Sequence, residues 1–125
     1  MYSMIEISDE QFQALIDTAL SELPGEHVKN IKNVAILYEQ EPTPQQRQEL
    51  LLRHDQTLLG LYEGVPLSQR QGMTRLFPDK ITLFKGPLTR MTGNPEALKE
   101  QIKHTLWHEI AHYYGLNHDR IRELE

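Results

Sequence analysis

The segment His108-Glu109-Ile110-Ala111-His112-Tyr113-Tyr114-Gly115-Leu116-Asn117-His118 sets three imidazoles and one carboxylate at spacings that suit a single divalent metal. His108 and His112 are four apart, so on a helix both project from one face about one turn apart and can share an ion. Two ligands alone leave a zinc site weak and open. Gly115 can take the left-handed backbone that ends a helix, and the turn lets His118 swing back as the third ligand. Glu109, beside the first ligand, is the candidate general base. Zinc on three protein ligands keeps its fourth position for water and lowers that water's pKa to about 7. A nearby carboxylate can accept the proton as the water attacks a carbonyl and then deliver it to the leaving amine. The metal would hold the developing oxyanion. The expected cofactor is Zn2+, although nickel, cobalt or copper would fit similar donors. The bland alternative is a helix whose histidines merely sit on its surface.

Other candidates are weaker. His104 lies four before His108 and extends the same helical row, but His118 explains the third ligand better. His27 and His54 stand in polar contexts and read as solvated. Asp119 could orient a ligand imidazole as an acceptor behind it or be exposed. Tyr113 and Tyr114 could offer a phenol to an intermediate, yet aromatic packing at a helix end is the simpler reading. Trp107 reads as core, and Arg70 and Arg75 as surface charge.

The elements that must position this site follow from local signals. Ser8 and Gln11 form a capping-box pattern, and Phe12, Leu15, Ile16, Ala19, Leu20 and Leu23 then fall on one helical face. Pro24-Gly25 stops that helix. Val34 to Tyr38 reads as a buried strand. Thr43 caps a polar helix from Pro44 to about Arg53, with Pro44 at the favoured first position; because Gln45, Gln46, Arg47, Gln48 and Glu49 offer no buried face, a solvated surface turn is the alternative. Leu58 to Tyr62 and Ile81 to Phe84 read as further strands, separated by a long connection from Glu63 to Lys80. Pro78-Asp79 supplies a turn before the last strand, and Gly86-Pro87 ends it. Asn94 caps the final helix, with Pro95 first and Glu96 near its positive end. Leu98, Ile102, Leu106, Ala111 and Tyr113 or Tyr114 give it an apolar side.

With 125 residues, 38% hydrophobic and 25% charged, the chain is expected to fold as one soluble domain spanning 1–125. Acidic side chains outnumber basic ones by 18 to 13, for a net charge of −5. That balance disfavours nucleic acid as a partner. There is no cysteine, so disulfides, thiolate ligands and cysteine nucleophiles are excluded. Met1 to Phe12 lacks the pattern of a signal peptide, and no apolar run is long enough to span a bilayer. A cytoplasmic protein is the expectation; oligomeric state is not legible.

The motif resembles the His-Glu-x-x-His-x-x-Gly-x-x-His signature of metzincin-type zinc peptidases. More closely, the chain resembles the minimal, single-domain zincin-like metallopeptidases of bacteria. The resemblance rests on Leu58-Leu59-Gly60-Leu61-Tyr62-Glu63-Gly64-Val65-Pro66-Leu67, on Pro78-Asp79-Lys80-Ile81-Thr82-Leu83-Phe84-Lys85-Gly86-Pro87 and on the C-terminal motif. It implies an α+β fold, with a small mixed sheet of about three to four strands packed against helices and the active-site helix at the C-terminus. It also implies a strand edge that takes an extended peptide, and Ile81 to Phe84 is the candidate for that edge. In that family the position of His118 is often acidic, so this chain resembles the three-histidine type. Met1, Met4, Met73 and Met91 all precede the motif, so the methionine turn of larger metzincins has no counterpart.

The leading expectation is a zinc-dependent metallopeptidase acting on peptide or protein substrates, with His108, His112 and His118 on the metal and Glu109 catalytic. One rival is a catalytically inactive domain that zinc staples together, which chelation would destabilise without any peptide turnover. A remoter rival is a metal-dependent endoribonuclease, whose RNA cleavage would survive Glu109→Gln.

Overall fold

The computed structural model describes residues 6–28, 34–51, 59–64 and 79–114, apart from the side chains of 26, 27 and 49–51. In chain order the elements are α1 (Asp9–Glu22), α2 (Gly25–Val28), β1 (Val34–Glu39), α3 (Pro44–Leu51), β2 (Gly60–Glu63), β3 (Asp79–Phe84), α4 (Lys85–Arg90) and α5 (Pro95–Tyr114). Helices packed on a small mixed sheet make this an α+β fold.

The helix ends follow the sequence closely. Ser8 Oγ accepts from the Gln11 backbone N–H at 3.1 Å while Gln11 Oε1 accepts from Ser8 N–H at 2.9 Å, a reciprocal capping box. Thr43 and Gln46 repeat the device at α3, at 3.1 and 2.8 Å. Asn94 Oδ1 accepts from Ala97 N–H at 2.8 Å and so begins α5. Between β3 and α5 stands a short helix that the sequence reading did not anticipate, α4. Its Pro87 lies in the first turn, where a backbone N–H has no helical partner to lose. The end of β1 holds α4 in place. Gly86 N–H donates to Gln40 O at 2.8 Å, and Arg90 grips Glu41 through two bonds of 2.6 and 2.9 Å.

The sheet order is β1-β3-β2, with β1 parallel and β2 antiparallel to β3. This overturns Ile81 to Phe84 as the sheet edge. That segment is the central strand, bonded on both sides, and its residues Ile81, Thr82, Leu83 and Phe84 are all buried. An unbroken buried run is what a strand covered on both faces and both edges requires. Strand β2 is shorter and starts later than expected, at Gly60 rather than Leu58.

One continuous core joins the sheet to the two long helices. Phe12, Ile16 and Ala19 of α1, Ile81 and Leu83 of β3, Tyr62 of β2, and Leu98, Ile102, Leu106 and Ile110 of α5 pack together. Phe12 also meets Tyr38 of β1 edge-on, with ring centroids 5.2 Å apart. Outside the core, Lys99 and Lys103 of α5 both reach Glu22 at the end of α1, at 3.0 and 3.3 Å. Trp107 lies in the core, as its type suggested. Among the described residues no helix is long and apolar enough to cross a membrane.

Candidate metal centre

The geometry of the site starts from the helical turn. At 3.6 residues per turn, His108 and His112 share one side of α5, and Thr105, Glu109 and Tyr113 follow round toward the core. The structure agrees: both histidines are half-buried, whereas Glu109 is 0% exposed. The two imidazole rings meet edge-on with centroids 4.9 Å apart. One ligating atom from each of His108, Glu109 and His112 lies within 4.8 Å of the others. Two imidazoles and a carboxylate at that separation are donors that suit zinc. His104 is exposed and stands outside this group. His118 and Asp119, like His54, Arg70, Arg75 and the side chain of His27, lie outside the described residues.

What aims Glu109 is the strand beneath it. In an antiparallel ladder, hydrogen-bonded and non-hydrogen-bonded pairs alternate. Phe84 N–H donates to Leu59 O at 2.9 Å, so residues 59 and 84 form a hydrogen-bonded pair. The register pairs Gly60 with Leu83 and Tyr62 with Ile81. Counting along it, the backbone N–H and C=O groups of Gly60 and Tyr62 point away from β3, to the outer edge of β2. Tyr62 N–H accordingly donates to Glu109 Oε1 at 2.9 Å, a buried bond between strand and helix.

Gly60 permits this approach. A Cβ built there would stand 2.7 Å from Thr105 Cγ2 and 3.4 Å from Glu109 Cγ. A glycine inside a strand commonly marks such a close approach of another element. That signal was available in the sequence and pointed at Gly60.

Behind Tyr62 lies a second buried polar contact. Its phenol donates to Asp79 Oδ2 at 2.6 Å, and Asp79 is only 1% exposed. Because Tyr62 pairs with Ile81, Asp79 is its diagonal neighbour on the same sheet face. The Tyr62 ring also meets Tyr113 edge-on at 6.1 Å, and Tyr113 packs against Tyr114 at 5.5 Å. The packing reading of Tyr113 therefore holds. Asp79 was read as a turn residue, since Pro-Asp is a common turn pair, and nothing local in the sequence marks it as the partner of a tyrosine seventeen positions earlier.

With the helix, the sheet and this cluster in view, the comparison with known families is specific. The chain belongs to the zincin-like metallopeptidase family, whose model matches residues 31–125. The match takes in the strands, α4 and all of α5. No curated protein matches the chain.

Proposed function

We propose that the protein is a zinc-dependent peptidase in which His108, His112 and His118 hold the metal and Glu109 is the general base. The observation that carries this reading is Glu109 itself, a fully buried carboxylate within 4.8 Å of two half-exposed imidazoles, with one oxygen fixed by a strand N–H. Membership of a metallopeptidase family supports it. The spacing of Gly115 and His118 supports the third ligand.

When bound, zinc supplies Lewis acidity that acidifies water and polarises a carbonyl. The remaining work belongs to the chain. Tyr62 N–H holds Glu109 Oε1, so the carboxylate is oriented before any substrate arrives. Glu109 takes a proton from the attacking water and passes it to the departing amine.

The test is Glu109→Gln, assayed for bound zinc and for hydrolysis of a peptide library. The expected result is one zinc retained and hydrolysis reduced by about 10²–10⁴-fold. Undiminished hydrolysis refutes Glu109 as the base. A second reading draws on the same cluster, since Glu109 is as well placed to ligate as the imidazoles are. In that reading the metal is structural and the domain inactive, and Glu109→Gln loses the metal.

A further inference from the structure

The geometry points to Asp79 and Tyr62 as positioning residues for Glu109, a buried brace that sets the carboxylate through the backbone of β2. The inference rests on the reading of Glu109 as the base. Three elements meet here. Asp79 opens β3, Tyr62 lies on β2 and Glu109 on α5, and two hydrogen bonds of 2.6 and 2.9 Å run through the one tyrosine.

Each end of Tyr62 has its own constraint. Its phenol donates to a carboxylate with 1% exposure, a charge-assisted bond shielded from water. Its ring rests edge-on against Tyr113, which is one turn beyond Glu109 on the same side of α5. Its N–H is one of those that the ladder leaves facing outward, and Glu109 Oε1 occupies it. The Asp79 side chain fills the space beside Gly64, where any Cβ would collide with it.

The consequence is geometric. The carboxylate of Glu109 can be no better fixed than the N–H that holds it, and that N–H belongs to a four-residue strand at the side of the sheet. Ladder bonds to β3 resist separation of the strands, but rotation about the β2 axis swings an outward N–H. The Asp79 anchor, several atoms from the backbone on the other end of the same residue, opposes that rotation. A catalytic group misplaced by about 1 Å can lose about a hundredfold in rate.

The full chain, labelled with nitrogen-15, gives a readout that does not depend on turnover: the amide proton of residue 62 in the metal-free protein. Glu109→Gln should shift it upfield, since a neutral amide is a weaker acceptor than a carboxylate. Asp79→Ala should shift it in the same direction, and Asp79→Asn, which keeps an acceptor for the phenol, should restore most of the wild-type position. In zinc-loaded protein, Asp79→Ala should lower kcat by about ten- to a hundredfold with KM within about twofold, and Asp79→Asn should recover most of the rate. Should Asp79→Ala fail to fold, Tyr62→Phe removes the same bond while keeping the ring against Tyr113. The proposal is overturned if the resonance responds to Glu109→Gln but to neither Asp79→Ala nor Tyr62→Phe, or if it ignores Glu109→Gln. A wild type that hydrolyses no peptide would defeat the proposed activity, and the amide measurements would still decide whether the brace exists.

Discussion

Tyr62 and Glu109, forty-seven positions apart, are joined by a single hydrogen bond from a strand N–H to a helix carboxylate, 2.9 Å long and wholly buried. The bond ties the outer strand of the sheet to the helix that carries both histidines. Its length depends on how closely α5 approaches β2, and small residues at the crossing set that distance.

Gly60→Ala tests the crossing. The new methyl would sit 2.7 Å from Thr105 Cγ2, so the helix or the strand must move. Overpacking of this kind costs about 1–3 kcal/mol. Urea denaturation should show that loss, and adding Thr105→Ser, which removes the opposing methyl, should recover part of it. Additive costs from the two substitutions would show that the methyls do not meet.

The cap of α5 is separable from its chemistry. Asn94→Ala removes the side-chain acceptor for Ala97 N–H and should cost about 0.5–2 kcal/mol in thermal or chemical unfolding. Zinc affinity of the folded protein should not change, because the cap stands at the opposite end of the helix from His108 and His112.

Within the core, Ile102 of α5 has 0% exposure and belongs to the cluster that joins α1, the sheet and α5. Ile102→Ala should cost about 2–5 kcal/mol in unfolding free energy. A loss below 1 kcal/mol would mean that α5 is not seated in this core as described.

The clamp between α1 and α5 gives a pH signature. Hydrogen bonds from Lys99 and then Lys103 hold the Glu22 carboxyl below its ordinary value of 4.5. Bonds to Glu22 and Glu96 raise Lys99 above 10.5, and bonds to Glu100 and Glu22 raise Lys103 likewise. A depressed carboxylate contributes stability above its unfolded pKa and loses it as pH falls through the folded one. A raised lysine contributes below its unfolded pKa and loses it as pH rises through the folded one. The Tm difference between wild type and Glu22→Gln should therefore be widest between these limits and shrink below pH 4.5 and above pH 10.5. Because the pairs are exposed, the difference should be small and should fall with added salt. A difference independent of both pH and salt would contradict the clamp.

The local features of the fold were legible because their causes are local. Ser8 with Gln11, Thr43 and Asn94 with Pro95 each announce a helix start through backbone donors that need an acceptor nearby. His108 and His112 come together through helical periodicity alone. The strand order was not legible, since pairing joins residues far apart. Ile81 to Phe84 reads as an edge only through the resemblance, and its central place rests on pairings with β1 and β2 that no local pattern encodes. Asp79 looked like a turn former and is the buried anchor of Tyr62. Tyr62 reads only as the end of a strand, yet its backbone N–H is what reaches Glu109, and no residue-type pattern shows where an amide points. Gly60 carried a usable hint. The helix α4 hid behind a proline that its first turn tolerates.

The most direct test of the account is zinc binding at equilibrium to the wild type beside His112→Ala and His118→Ala. The account predicts one zinc per wild-type chain, and affinity reduced by about a hundredfold or more in each variant, since each removes one of three protein ligands. Binding left unchanged by His118→Ala would remove the third ligand from the site. Binding left unchanged by both would contradict a metal held by these histidines, and with it the proposed chemistry.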